Sequence, residues 1–363
     1  MEFASLHSCR SSRIVALLFV AITFTASAVA SSVSEVASTV PTNSDLNPYG
    51  VAVVPTTTGS LVRGNILVSN FNNGGNLQGT GTTIMQISPG GTVSLFAQID
   101  ANTLPGPCPG GVGLTTALVA LRSGWVIVGS LPTTNGMAAT AQAGCLLVLD
   151  SNGNVTETFY GSLINGPWDM TALDLGNEAQ LFVTNVLNGT VAAGGSVVKQ
   201  GTVLRLNLSI AKGSMPSLQS LTIIGSGFSE RSDPVALVIG PTGLALSHDG
   251  LFLYVADSLA NRIAVIALPT LRTDSAGTGE TLSQGGALND PLGLTLAPNG
   301  NILATNGNNG LLVTMNPFGA QVSKVLLDTT GTPPGTGALF GLVTVGDRVF
   351  FVDDDENQLN VFQ

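Results

Sequence analysis

Few side chains in this sequence can do chemistry, and their scarcity sets the first bounds on function. Past the first 30 residues there is one histidine, His248, in Ser247-His248-Asp249-Gly250. A serine-type triad would have to use it, and no Gly-x-Ser-x-Gly elbow accompanies it. The order of residues reads instead as a turn between two strands. Two cysteines, Cys108 and Cys145, remain in the same stretch. Neither belongs to a C-x-x-C pair, so a zinc site lacks ligands, and a single disulfide is expected. Oxygen donors are more plentiful. Asp353-Asp354-Asp355-Glu356 is the densest acidic run, but it lacks the Asp-x-Asp-x-Asp-Gly spacing of a calcium loop. It reads as a solvated hairpin tip, with Asp353 kept as a metal candidate.

These residues belong to a repeat. A Pro-x-Gly-like corner, a short apolar run, a polar turn and a second apolar run ending in Asn, Asp or Ser recur six times. The corners are Pro48-Tyr49-Gly50, Pro109-Gly110-Gly111, Pro167-Trp168-Asp169, Pro241-Thr242-Gly243, Pro291-Leu292-Gly293 and Leu339-Phe340-Gly341. The second runs end at Asn70, Ser130, Asn185, Asp257, Asn306 and Asp353. The apolar runs are short and rich in Val, Leu and Ile, and no stretch holds a 3.6-residue period with caps. About four strands per unit and six units predict an all-β, six-bladed propeller of four-stranded antiparallel blades. The blades start near residues 47, 106, 164, 238, 288 and 336, in one domain over 31–363. The last unit supplies three strands, so a strand near Val33 to Val40 is expected to complete it and hide two edges. Seven blades is the alternative, because the long third unit could hold a degenerate copy. Its excess, Gly189 to Gly201 and Ile210 to Ser217, reads as loops.

Composition narrows the partners. Charged residues make up 9% of the chain and the net charge is −10. That balance disfavours nucleic acid and anionic membranes, which attract positive charge. Arg10 and Arg13, the apolar run Ile14 to Ala26 and Ala28-Val29-Ala30 read as a signal peptide over 1–30. No other stretch is long and apolar enough to span a bilayer. The chain is therefore expected to be secreted or periplasmic, and monomeric. Asn154-Val155-Thr156, Asn188-Gly189-Thr190 and Asn207-Leu208-Ser209 are glycosylation acceptors in a host that glycosylates.

Val255-Ala256-Asp257-Ser258-Leu259-Ala260-Asn261-Arg262-Ile263 closely resembles the core of NHL repeats, and Val352 to Leu359 looks like the same phrase. The resemblance implies the six-bladed class that includes gluconolactonase-like, strictosidine synthase-like and paraoxonase-like enzymes. In gluconolactonase-like proteins, some ligands of a divalent ion come from the middle corner residue. Here those positions hold Tyr49, Gly110, Trp168, Thr242, Leu292 and Phe340, none of them Asn or Asp.

Asp169 breaks the repeat, since it stands where other corners have glycine. Beside Trp168 it is a candidate ligand or metal contact at the channel, or else a partner for the turn backbone. Asn185, Asp257, Asp290 and Asn306 are the other channel candidates, and Ca2+ is the ion that oxygen ligands would suit. Two functions follow. The first is a scaffold that binds a protein, glycan or small molecule through one face. The second is a divalent-metal lactonase or related hydrolase. The sequence leaves open whether the chain is an enzyme.

Overall fold

The computed structural model describes Met1, Glu2 and residues 32–363. The expected signal peptide falls almost wholly on 3–31 and lies outside the described residues.

Six antiparallel sheets form the ring, and no α-helix occurs among the described residues. Each blade begins with an inner strand. These are Leu46–Val53, Leu114–Ala120, Pro167–Asp174, Pro241–Leu246, Pro291–Leu296 and Leu339–Val345. The following strands of each blade step outward in sequence order. The last blade is completed by Val33–Ser38, which pairs antiparallel with Gln358–Phe362, from Val33 opposite Phe362 to Ser38 opposite Gln358. Val33–Ser38 is thus the outer strand of the last blade and covers the edge of Gln358–Phe362.

The third unit holds no hidden seventh blade. Its extra length goes into two long strands, Val198–Ser209 and Ser217–Asp233, and a short strand Leu237–Ile239 that pairs with the end of the second. Val198 to Gly201, expected as loop, is therefore strand. Alternating apolar side chains at Val203, Ile224 and Phe228 have a neighbouring blade to pack on, and that burial favours the extended form.

One corner lies elsewhere than expected. Leu114 pairs with Ser130, as Pro167 pairs with Asn185 and Pro241 with Asp257. The corner of blade two is therefore Leu114-Thr115-Thr116. Pro109-Gly110-Gly111 lies in the loop before it, where Cys108 and Cys145 form the disulfide with Cα atoms 5.1 Å apart. A proline and two glycines are what a loop also wants, so the phrase misled.

The core sits in the wedges between blades. Blades one and two share Leu67, Phe96, Leu114 and Leu147; blades two and three share Ile127, Val148, Leu181 and Leu204. Buried hydroxyls staple five of the six junctions near the corners. Ser69 Oγ donates to the Thr115 carbonyl at 2.8 Å, Thr115 Oγ1 to Pro167 at 2.8 Å, and Thr184 Oγ1 to Thr242 at 3.0 Å. Thr242 Oγ1 donates to Pro291 at 3.1 Å, and Thr305 Oγ1 to Phe340 at 2.8 Å. The corner glycine makes this approach feasible: a Cβ at Gly243 would collide with the Leu292 carbonyl, and one at Gly293 with that of Phe340. The sixth junction, between blades six and one, uses rings instead. Phe340 stacks on Tyr49 at 3.8 Å between centroids.

Candidate functional site

The middle residues of the corners meet at one mouth of the ring. With the blade-two correction they are Tyr49, Thr115, Trp168, Thr242, Leu292 and Phe340. Tyr49 also stacks on Phe71 at 4.5 Å, and Trp168 meets both rings edge-on, 6.0 Å from Tyr49 and 5.7 Å from Phe71. All four rings are buried, and Leu131, Val186, Leu237 and Val238 pack with them in one cluster. This mouth is closed by an aromatic plug. Burial raises the Tyr49 phenol well above its ordinary value, with the Asp354 carboxyl adding to the rise.

Behind the plug lies a cavity of about 370 Å³. It runs from Trp168 and Phe340 at the corner end to Asp174, His248 and Thr344 at the far ends of the inner strands. Polar and apolar groups share its wall about equally. The third corner positions are Gly50, Thr116, Asp169, Gly243, Gly293 and Gly341, so only blades two and three carry side chains there. Across the ring, Gly293 and Gly341 leave the space that Thr116 and Asp169 face.

Asp169 is half-buried on the inner strand of blade three. Its Oδ2 accepts a 2.7 Å hydrogen bond from the Leu244 amide of blade four. Its own amide donates to Thr184 Oγ1 at 3.0 Å. Burial pushes the carboxyl up to about 7, against the amides of Leu244 and Met170, which favour the charged form. Asp169 thus binds backbone of the next blade and also lines the cavity. Thr116 was not foreseen. Its hydroxyl donates to the Trp168 carbonyl beside Asp169.

The remaining candidates do not join Asp169. Asn185 is buried at its strand end and its Oδ1 accepts from Gly166 at 3.3 Å. Asn306 donates to the Ala287 carbonyl at 2.7 Å and to Asn309 Oδ1 at 3.0 Å. Asp257 is held by Arg262 at 2.7 Å. Asp353 Oδ1 accepts from the Glu356 amide at 3.3 Å. Burial pushes Asp353 up to about 7, with Asp328 adding to the rise. Asp290 adopts φ 56° just before Pro291. Burial pushes it up to about 6, helped by Asp233 and opposed by Arg231. Each of these serves its own turn or junction. His248, the sole histidine among the described residues, is exposed at the far mouth, with Nε2 3.3 Å from the Ala297 carbonyl. Ser247 Oγ donates to Asp249 at 2.6 Å and not to the ring, so the turn reading holds.

A divalent ion at the plugged mouth finds no ligand set. Calcium takes six to eight oxygens, usually with several carboxylates. The middle corner positions offer three hydroxyls: those of Thr115 and Thr242 donate to carbonyls of the next blade, and that of Tyr49 is a buried phenol whose ionisation burial opposes. Among the described residues no group of three or more His, Cys, Asp or Glu is placed to hold a metal ion.

No protein-family model matches the chain, and no curated protein matches it in sequence. Many solved structures share its fold. A gluconolactonase from Xanthomonas campestris is 12% identical with a TM-score of 0.54, covering 92% of this chain and 89% of that one. Regucalcin, a calcium-binding protein from Agrobacterium tumefaciens, is 14% identical with a TM-score of 0.55, covering 87% and 89%. Streptogramin B lyase is 14% identical with a TM-score of 0.51, covering 92% and 97%. The chain is a six-bladed β-propeller. At these identities the likeness is one of fold, and activity has to be argued from the site. The NHL-like phrase around Asp257 corresponds to a strand end, a 3-10 turn over Ser258–Ala260 and Asn261 at φ 47°.

Proposed function

We propose that the channel binds a small, neutral carbonyl compound of the lactone or ester class, and that Asp169 is the base for its hydrolysis. The observation that carries this reading is the position of Asp169: a single half-buried carboxyl close behind the plug, with a titration point near neutrality. A base works best when its pKa lies near the working pH. The cavity of about 370 Å³ is within the range of small-molecule sites. The fold neighbours support the same class of chemistry, since gluconolactonases and a luciferin-regenerating enzyme are among them.

In this reading the ionised Asp169 takes a proton from a water in the channel as that water attacks the carbonyl carbon, and the protonated carboxyl returns it to the leaving alkoxide oxygen as the acyl–oxygen bond breaks. The inner strands hold the ligand behind the plug. The Leu244 amide keeps the carboxyl oriented. The ligand enters from the far mouth, because the rings of Tyr49, Phe71, Trp168 and Phe340 fill the other. Calcium has no step here. The disulfide fits the oxidising compartment of a secreted or periplasmic protein.

The test is turnover of a lactone and ester panel by the purified protein, with and without EDTA. The expected result is hydrolysis that rises with pH through about 7, is lost in Asp169→Asn and is untouched by EDTA. Loss of activity on chelation would overturn it. A second reading is binding without turnover, favoured by the absence of any histidine or cysteine beside Asp169 among the described residues. Measurable affinity, lost in Asp169→Leu and unaccompanied by turnover, would select that reading.

A further inference from the structure

On the face away from the plug, a second cavity of about 510 Å³ opens between blades four and five. Tyr254, Val265 and Leu282 form its apolar wall, and Phe252 and Phe318 stand at its edge. Phe318 is 92% exposed and Phe252 is 42% exposed. An aromatic ring that open to water is held there by the turn beneath it. Asn316 Oδ1 accepts from the Phe318 and Ala320 amides, each at 3.0 Å, and the Gly319 amide donates to the Asn316 carbonyl at 2.9 Å. The turn thus presents Phe318 beside the groove as a fixed wall.

The groove adjoins the channel mouth. His248 and Leu296 line both cavities, and the 3.3 Å contact from His248 to Ala297 links blades four and five at the rim between them. We infer that the groove holds the uncharged alkyl tail of an amphipathic molecule whose polar end enters the channel past His248. The tail is uncharged because the groove supplies no cation, and exposed Asp249 on its rim repels an anionic chain. The polar end rests on the channel reading above; the tail site does not.

The experiment is titration calorimetry with δ-valerolactone, δ-decalactone and 1-octanol on the full chain carrying Asp169→Asn, which in the channel reading cannot turn the lactones over, with Phe318→Ser and Leu282→Ser as groove variants in the same background. Phe318 is too exposed for its loss to unfold the protein. Each buried methylene contributes roughly fourfold in affinity, so δ-decalactone should bind roughly tenfold or more tighter than δ-valerolactone. Both groove variants should shrink that gap severalfold and weaken 1-octanol, with δ-valerolactone unchanged. A chain-length preference that survives both variants, or no preference at all, would overturn the inference. So would a dimer that Phe318→Ser dissociates, since a second copy would then be the occupant. The channel reading fails separately: δ-valerolactone binding would survive Asp169→Leu, while 1-octanol would still respond to Phe318→Ser.

Discussion

Asp169 Oδ2 accepts a 2.7 Å hydrogen bond from the Leu244 amide, which ties the one carboxylate of the third corner positions to the next blade. A carboxyl pushed up to about 7 is protonated in the folded protein at pH values where the unfolded chain has ionised it, since its ordinary value is 3.8. Between those two points the folded state binds more protons, so stability falls as pH rises. Asp169→Asn keeps an acceptor for Leu244 and removes the buried charge. It should raise the melting temperature by a few degrees at pH 8 and change it little at pH 4. Scanning calorimetry at the two pH values checks this.

The same sign applies across the molecule. Burial pushes fully buried Glu230 up to about 8 and Asp353 up to about 7, and raises Asp354 well above its ordinary value. All of these contribute stability that is present at low pH and lost as pH climbs toward 8. The wild-type protein should therefore melt higher at pH 5 than at pH 8, opposite to a protein held by ionised carboxylates.

Thr184 accepts from the Asp169 amide and donates to the Thr242 carbonyl. Thr184→Val keeps the shape and strands both partners, which should cost about 1–3 kcal/mol. Thr184→Ser should recover most of the loss. Urea unfolding of the two variants, read as midpoint at constant slope, measures it.

Cys108 and Cys145 are 37 residues apart. Closing a loop of that length restricts the unfolded chain by about 4 kcal/mol in the chain-entropy description. Reduction, or the double change to serine, should lower the melting temperature clearly while leaving the circular dichroism of the folded state unchanged.

Deleting residues 1–40 removes the strand Val33–Ser38 and bares the edge of Gln358–Phe362. Open edges recruit other chains. The shortened protein should unfold earlier and associate, as light scattering would record.

The ring itself was legible because five corners keep proline or leucine, a variable residue and glycine or Asp169, and the four glycines allow backbone contact with the next blade. Blade two escaped because Leu114-Thr115-Thr116 has neither proline nor glycine, and a loop nearby has both. The staples left a trace that went unread: Ser69-Asn70, Thr184-Asn185 and Thr305-Asn306 repeat a hydroxyl before the strand end. The plug left none, since Tyr49, Phe71, Trp168 and Phe340 come from three blades and meet only when the ring closes. The same closure explains Asp169. Its oddity showed in the sequence, while its raised pKa depends on walls contributed by the other blades.

The most direct test is a carbon-detected NMR titration of the Asp169 side chain in the folded protein, assigned with Asp169→Asn, with and without δ-valerolactone. A midpoint near 7 that moves when the lactone binds is the predicted result. A midpoint near 4, indifferent to the lactone, would contradict the claim that this carboxyl is the working group of the channel.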